Sequence, residues 1–75
     1  MTDEMLKTVT EFLDIDECFA REHSRYIPEI DAYRFGEPIR GGVSIIIKSN
    51  GEKLVAGSSV PPPEHIQAFK DGKRN

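Results

Sequence analysis

The sequence predicts an α+β fold, with an N-terminal helix or two helices, a small antiparallel β-meander and a C-terminal helix. Apolar residues recur at spacings of three and four near the start of the chain. An Asn-Gly turn then separates two predicted strands, Val43 to Lys48 and Lys53 to Ala56, and a proline-led helical segment comes last. With 75 residues, 37% of them hydrophobic, we expect one domain over residues 1–75.

The first element is a helix that begins after Thr2. Thr2 is a suitable N-cap, and Asp3 and Glu4 place negative charge in the first turn, where the helix dipole favours it. One face then carries the apolar side chains, which are Met5, Leu6, Val9, Phe12 and Leu13. We expect this face to be buried against the sheet.

The stretch from Asp14 to Glu17 leaves two alternatives open. The first helix can continue, with Phe19 and Ala20 on its buried side. Alternatively, Asp14 is the N-cap of a second short helix, with Glu17 completing a capping box, and this helix ends before Pro28. We favour a break near Asp14.

A strand over residues 30–35 is predicted next, followed by a turn at residues 36–38. The clearest β-signal is the hairpin in residues 43–56. The meander therefore has three predicted strands, because an isolated hairpin is marginal in water.

The turn of this hairpin has two possible registers. A two-residue turn places Lys48 opposite Lys53, whereas a three-residue turn with Gly51 in a left-handed bulge conformation places Lys48 opposite Glu52. We prefer the second register because it avoids a like-charge pair.

The last predicted helix is the segment from Glu64 to Lys70. Prolines are tolerated in its first turn, and Gly72 stands just past its end. Ile66 and Phe69 are three residues apart and are expected to dock the helix on the sheet.

Few residues suggest catalysis. Cys18 and His23, five positions apart, would lie on different faces of a continuous helix, and we expect Cys18 to be a small packed side chain. We expect His65 to be a neutral imidazole hydrogen-bonded at the surface. Gly41-Gly42 precedes a strand rather than a helix, so no phosphate-binding loop is predicted. No catalytic residue, metal or cofactor is expected.

The net charge of −3 conceals a division of charge along the chain. Residues 1–37 carry ten acids and four bases, a net charge of −6, and residues 38–75 carry three acids and six bases, a net charge of +3. Either the two halves neutralise each other, or the acidic half meets a basic partner or a second copy. The candidate partner-binding residues are Asp14, Asp16 and Glu17.

Nucleic-acid binding is the least favoured binding function. The predicted element order resembles that of a double-stranded RNA-binding domain, which needs clustered bases to contact phosphates. The chain is acidic overall, and its last helix supplies only Lys70, Lys73 and Arg74.

One resemblance covers about the last 35 residues. Its residues are Gly41-Gly42-Val43-Ser44-Ile45-Ile46-Ile47, Asn50-Gly51-Glu52, Gly57-Ser58-Ser59, Pro61, Glu64, Ile66 and Phe69. This part resembles the C-terminal half of a family of small bacterial immunity proteins from polymorphic toxin systems. The resemblance implies a small protein that neutralises a toxin by binding it, without catalysis.

The sequence thus favours a non-catalytic protein-binding module, with a self-associating homodimer as the alternative and an enzyme last. We expect a cytoplasmic protein that does not associate with a membrane. The chain starts with acidic residues, has no apolar run of signal or membrane-spanning length and contains a single cysteine.

Overall fold

A computed structural model describes residues 2–36, 42–57 and 59–74 of the chain. The elements, in order, are α1 (Asp3–Leu13), α2 (Glu17–Glu22), β1 (Ser24–Ile27), β2 (Ala32–Gly36), β3 (Ser44–Ile47), β4 (Lys53–Ala56) and α3 (Pro62–Lys70). The strands form one antiparallel sheet in the order β1-β2-β3-β4. The predicted α+β class, with its meander and terminal helices, is confirmed.

The break after α1 is also confirmed, although its capping residue differs from the prediction. Thr2 caps α1, and its hydroxyl accepts the Met5 N–H at 3.2 Å. Asp14 adopts the left-handed conformation, with φ of 54°, and ends α1. Asp16 is therefore the N-cap of α2, and its carboxylate accepts the Phe19 N–H at 2.8 Å. Asp14 cannot cap α2 because it already closes α1, in a conformation that aspartate tolerates better than most residues.

β1 is a fourth strand in the stretch that the sequence pattern assigns to a second helix ending before Pro28. That helix ends at Glu22, and Ser24–Ile27 pairs with β2 instead. The six-residue helix α2 has little stability of its own. Residues 24–27 therefore do not extend this helix, because pairing with β2 stabilises them as a strand.

The strand predicted over residues 30–35 is displaced toward its C-terminal end. Pro28–Ile30 form one turn of 3-10 helix, Asp31 has φ of 48°, and β2 begins only at Ala32. Proline is well suited to the first position of such a turn, which delays the strand.

The hairpin has the preferred register. Ile47 pairs with Lys53, and the Lys48 N–H donates to the Glu52 carbonyl at 2.9 Å. Gly51 has φ of 94°, as the three-residue turn requires. The turn predicted after Gly36 involves Glu37 and Pro38, which lie outside the described residues.

The sheet is the middle of three layers. One face packs against α1 and α2 in a cluster that comprises Met5, Leu6, Val9, Ala20, Phe35, Ile45 and Ile47. The other face packs against α3 in a cluster that comprises Ile30, Ala32, Ile46 and Phe69. Ile66 is half-buried against this second cluster, so both residues predicted to dock α3 do so.

Phe12 departs from the expected buried face of α1. Its side chain is 51% exposed, and the Lys53 ammonium lies 5.0 Å from the centre of its ring. Phe12 lies in the last turn of α1, where the helix ends before the ring is covered. None of the helices in the described parts of the chain has the length and apolar character needed to span a membrane.

Candidate functional site

The second face of the sheet carries a row of polar side chains beside α3. Side chains of a strand alternate between faces, so Arg25 and Ile27 point to the same side as Arg34 on the neighbouring strand, and Gly36 follows two residues after Arg34. With Pro62 and Ile66 of α3, these residues line a cleft of about 350 Å³, which we call the arginine cleft. This volume lies within the range of small-molecule sites.

Two arginines face each other in this cleft. Arg25 and Arg34 are directly opposite in the pairing of β1 with β2, an arrangement that is unfavourable for like charges. Within the described residues, no carboxylate lies within ion-pair distance of either guanidinium. The fold therefore concentrates positive charge on the surface of an acidic protein.

Two partly buried hydrogen bonds hold Arg34 in place. Its Nε donates to His65 Nδ1 at 3.3 Å, and its Nη2 donates to Ser44 Oγ at 3.0 Å. The His65 Nε2 then donates to the Leu54 carbonyl at 2.9 Å, because an arginine partner can only donate and so assigns the proton to Nε2. Arg34 is thus fixed by groups on β3 and α3.

Gly36 provides room for the Arg34 side chain. A Cβ atom at this position would lie 3.2 Å from Arg34 Nη1, which is closer than an ordinary van der Waals contact. The missing side chain lets the guanidinium lie along the floor of the cleft.

His65 is buried rather than at the surface, and only 1% of it is exposed. Burial lowers its pKa, the nearby Arg34 charge lowers it further, and the hydrogen bond to the Leu54 carbonyl partly offsets this effect. The expectation of a neutral, hydrogen-bonded imidazole is compatible with this environment. Its surface location was wrong because Leu54 and Arg34 satisfy both ring nitrogens, which lets the ring enter the core.

Burial also lowers the pKa of the Arg34 guanidinium, and the adjacent Arg25 charge adds to this effect. An arginine nevertheless remains charged at neutral pH. The floor of the arginine cleft is therefore permanently cationic, and no protonation event is needed to create its charge.

The three residues predicted to bind a partner lie on the other side of the molecule. Asp14 and Asp16 are exposed in and beside the connection between α1 and α2, where both act in capping. Glu17 is also exposed, and its carboxylate accepts a hydrogen bond from Arg21 at 3.2 Å. These three acids are close together in the sequence. Each has a structural role, either in capping or in the hydrogen bond with Arg21.

Their surroundings are strongly acidic. Residues 2–23 contain seven acids but only two bases, Lys7 and Arg21. Arg21 pairs with Glu17 and lies 3.9 Å from Asp3, so its charge is already shared. We call the exposed surface of α1, α2 and their connection the acidic layer.

The two halves of the chain neutralise each other only in part. Lys70 forms an ion pair with Glu29 at 2.6 Å, which joins the basic half to the acidic half. Arg74 pairs instead with Glu52 at 3.6 Å, within the basic half, and its guanidinium lies 3.6 Å from the centre of the Phe69 ring. Two of the three bases considered for nucleic-acid binding therefore have partners inside the protein.

Cys18 is exposed, contrary to the expectation of a packed side chain. Ala20 is the buried residue of α2, and Cys18 lies on the outer surface of this short helix. His23 packs against Phe19, with ring centres 4.5 Å apart. Among the described residues, no group of three or more His, Cys, Asp or Glu side chains is arranged to hold a metal ion.

The arginine cleft cannot be recognised from the sequence, because the pattern favours a helix over residues 24–27. The relevant signal is the alternation of residues 24–27, with Arg25 and Ile27 on one face, which becomes meaningful only when these residues form a strand. Comparison of the chain with protein-family models, curated proteins and solved structures gives no match.

Proposed function

We propose that this chain is a non-catalytic binding module whose acidic layer binds a basic protein surface. The observation that carries the proposal is the excess of negative charge in the layer, with seven acids and two bases in residues 2–23. Complementary charge accelerates association and selects among partners. The exposed Phe12 ring, two residues before Asp14, adds an aromatic group of the kind that anchors protein interfaces.

The absence of catalysis is part of the same proposal. Both ring nitrogens of His65 are hydrogen-bonded to the protein, so its imidazole is engaged in holding the fold. We also propose a cytoplasmic location, where an exposed thiol stays reduced.

The resemblance of the C-terminal half gives the proposal a more specific form, in which the partner is a toxin. An immunity protein of this kind would be encoded beside a toxin gene, and the two products would form a complex. The test is to express the adjacent gene product and measure its association with this protein.

Neutral variants allow the role of the acidic layer to be measured without loss of its capping interactions. We expect the pair Asp14→Asn and Glu17→Gln to slow association with the toxin about tenfold at low salt, since two steering charges are lost. Asparagine also tolerates the left-handed conformation found at Asp14. Asp16→Asn, which still caps α2, should slow association further.

The matched control is the pair Glu64→Gln and Asp71→Asn, which removes the same two residue types from α3 and its C-cap. Stopped-flow measurement should show little change in the association rate for this control. Equal slowing by both pairs would contradict a role for the acidic layer. A stable dimer of the isolated protein in sedimentation equilibrium, with no toxin binding, would favour the homodimer alternative.

A further inference from the structure

We propose that the arginine cleft binds a small organic phosphate monoester, with Arg25 and Arg34 contacting the phosphate and Ile27, Pro62 and Ile66 contacting the organic group. This site lies on the face of the sheet opposite the acidic layer. Its ligand is therefore separate from the protein partner proposed above.

The first argument is the unused hydrogen-bonding capacity of Arg34. A guanidinium has five N–H donors, and the bonds to His65 and Ser44 use two of them. The remaining donors have no partner among the described residues, and they include both N–H groups of Nη1, above Gly36. Such a fork is well matched to the oxygens of a phosphate.

The second argument is charge. The fold places Arg25 directly opposite Arg34 and provides no carboxylate partner for either among the described residues. A dianion bound between them would replace repulsion with two attractions. A monoanionic carboxylate would compensate only one of the two charges, so we assign a phosphate monoester rather than a carboxylate.

The third argument is the shape and composition of the walls. The cleft holds about 350 Å³, which is larger than a phosphate group alone requires, and Ile27, Pro62 and Ile66 line it together with the arginines. These apolar side chains suit the organic part of an ester. Pro62 and Pro63 also lack N–H groups, so the first turn of α3 adds few donors and the arginines must supply them.

His65 and Ser44 are positioning residues in this proposal. Each accepts a hydrogen bond from Arg34 and holds the guanidinium along the sheet, so that the remaining donors face the cleft. Preorganisation of this kind reduces the entropy lost when a ligand binds.

Calorimetric titration of the full-length protein with phenyl phosphate tests the proposal. Phenyl phosphate should bind saturably at millimolar concentrations or below. Benzoate carries the same ring with a single negative charge, and inorganic phosphate lacks the ring. Both should bind at least about tenfold more weakly, because each lacks one set of contacts.

Arg25→Gln is the decisive variant because this side chain is exposed and its replacement leaves the core intact. It should weaken phenyl phosphate binding about tenfold or more, as expected for loss of a charge-assisted contact. Arg21→Gln is the matched control, since Arg21 is an exposed arginine on α2 with no place in the cleft, and its affinity should be unchanged.

A positioning role for Ser44 has its own readout. Ser44→Ala removes the acceptor of Arg34 Nη2 and should weaken phenyl phosphate binding more than benzoate binding, since the fixed fork serves the phosphate. A circular dichroism melt verifies that each variant is folded.

Four results would overturn the proposal. One is the absence of saturable binding, and another is equal weakening by Arg25→Gln and Arg21→Gln, which would indicate nonspecific charge. The third is equal binding of benzoate and phenyl phosphate. Binding of a phosphotyrosine peptide but not of phenyl phosphate would also overturn the assignment to a small molecule.

Discussion

His65 shows how a single residue connects the core to the candidate site. It is buried, it donates to the Leu54 carbonyl, and it accepts a hydrogen bond from Arg34. Protonation would remove the acceptor that Arg34 uses and place a second positive charge beside it. The neutral form of this imidazole is therefore part of the folded structure.

Stability should fall as the pH is lowered through the range in which His65 becomes protonated. Its pKa is lowered in the folded state, so the unfolded chain binds this proton more readily. Its contribution is complete above the unfolded-state pKa, about 6.5, and is lost as the pH falls toward the lower folded-state value. We expect a loss of about 1 kcal/mol or more in urea unfolding at pH 5, compared with pH 7.

The comparison for this prediction is His65→Gln, whose amide cannot be protonated in this range. The variant should be less stable at pH 7 and show a smaller decrease in stability between pH 7 and pH 5. Glu29 and Glu52 have lowered pKa values, which keeps their titration below this range. Identical decreases in the two proteins would show that His65 is not the responsible group.

At the scale of single elements, the β3–β4 hairpin depends on one backbone conformation. The three-residue turn places Gly51 at φ of 94°, and the Gly51 N–H donates to the Lys48 carbonyl at 3.0 Å. The Asn50 side chain accepts the Glu52 N–H at 3.0 Å and closes the turn further. The register of the hairpin thus follows from local chemistry.

Gly51→Ala should lower the free energy of unfolding by about 1 kcal/mol, because alanine is strained at positive φ. Space is not the cause, since a Cβ at Gly51 would meet no atom within 4 Å. Gly57→Ala is the matched control, since Gly57 has equal space and lacks a positive φ. Chemical denaturation should show a smaller change there, and equal losses at the two positions would argue against backbone strain.

The whole molecule is organised by a sheet that is covered on both faces. Ile45 and Ile46 are consecutive residues of β3, both are fully buried, and they belong to different clusters. This arrangement also separates the acidic layer from the arginine cleft, because the sheet lies between them. An acidic protein can therefore present a cationic cleft without ion pairs forming between the two surfaces.

Both isoleucines should be important for stability, because each fills a separate core. We expect Ile45→Ala and Ile46→Ala each to cost about 2–5 kcal/mol in equilibrium unfolding, the range for truncating a buried aliphatic side chain. The two variants control for each other, since the residue type, strand and burial are the same. A loss below about 1 kcal/mol for Ile46→Ala alone would mean that α3 does not form a second core.

Local chemistry in the sequence was sufficient for much of this fold. The Thr2 cap, the break at Asp14, the turn at Gly51 and the proline-led α3 depend on residues close together in the chain, and the structure confirms them. The spacing of apolar residues correctly predicts the buried face of α1, but it wrongly includes Phe12, whose side chain is exposed.

Interactions between distant residues decided the rest. Ser24–Ile27 becomes a strand because β2 is available to pair with it, and that pairing sets Arg25 opposite Arg34. His65 is buried because Leu54 and Arg34, remote in sequence, satisfy its nitrogens. The sequence by itself determined the α+β class, the caps and the hairpin register, since these follow from short-range backbone preferences. Only the tertiary structure created the arginine cleft, since strand pairing and burial bring its side chains together.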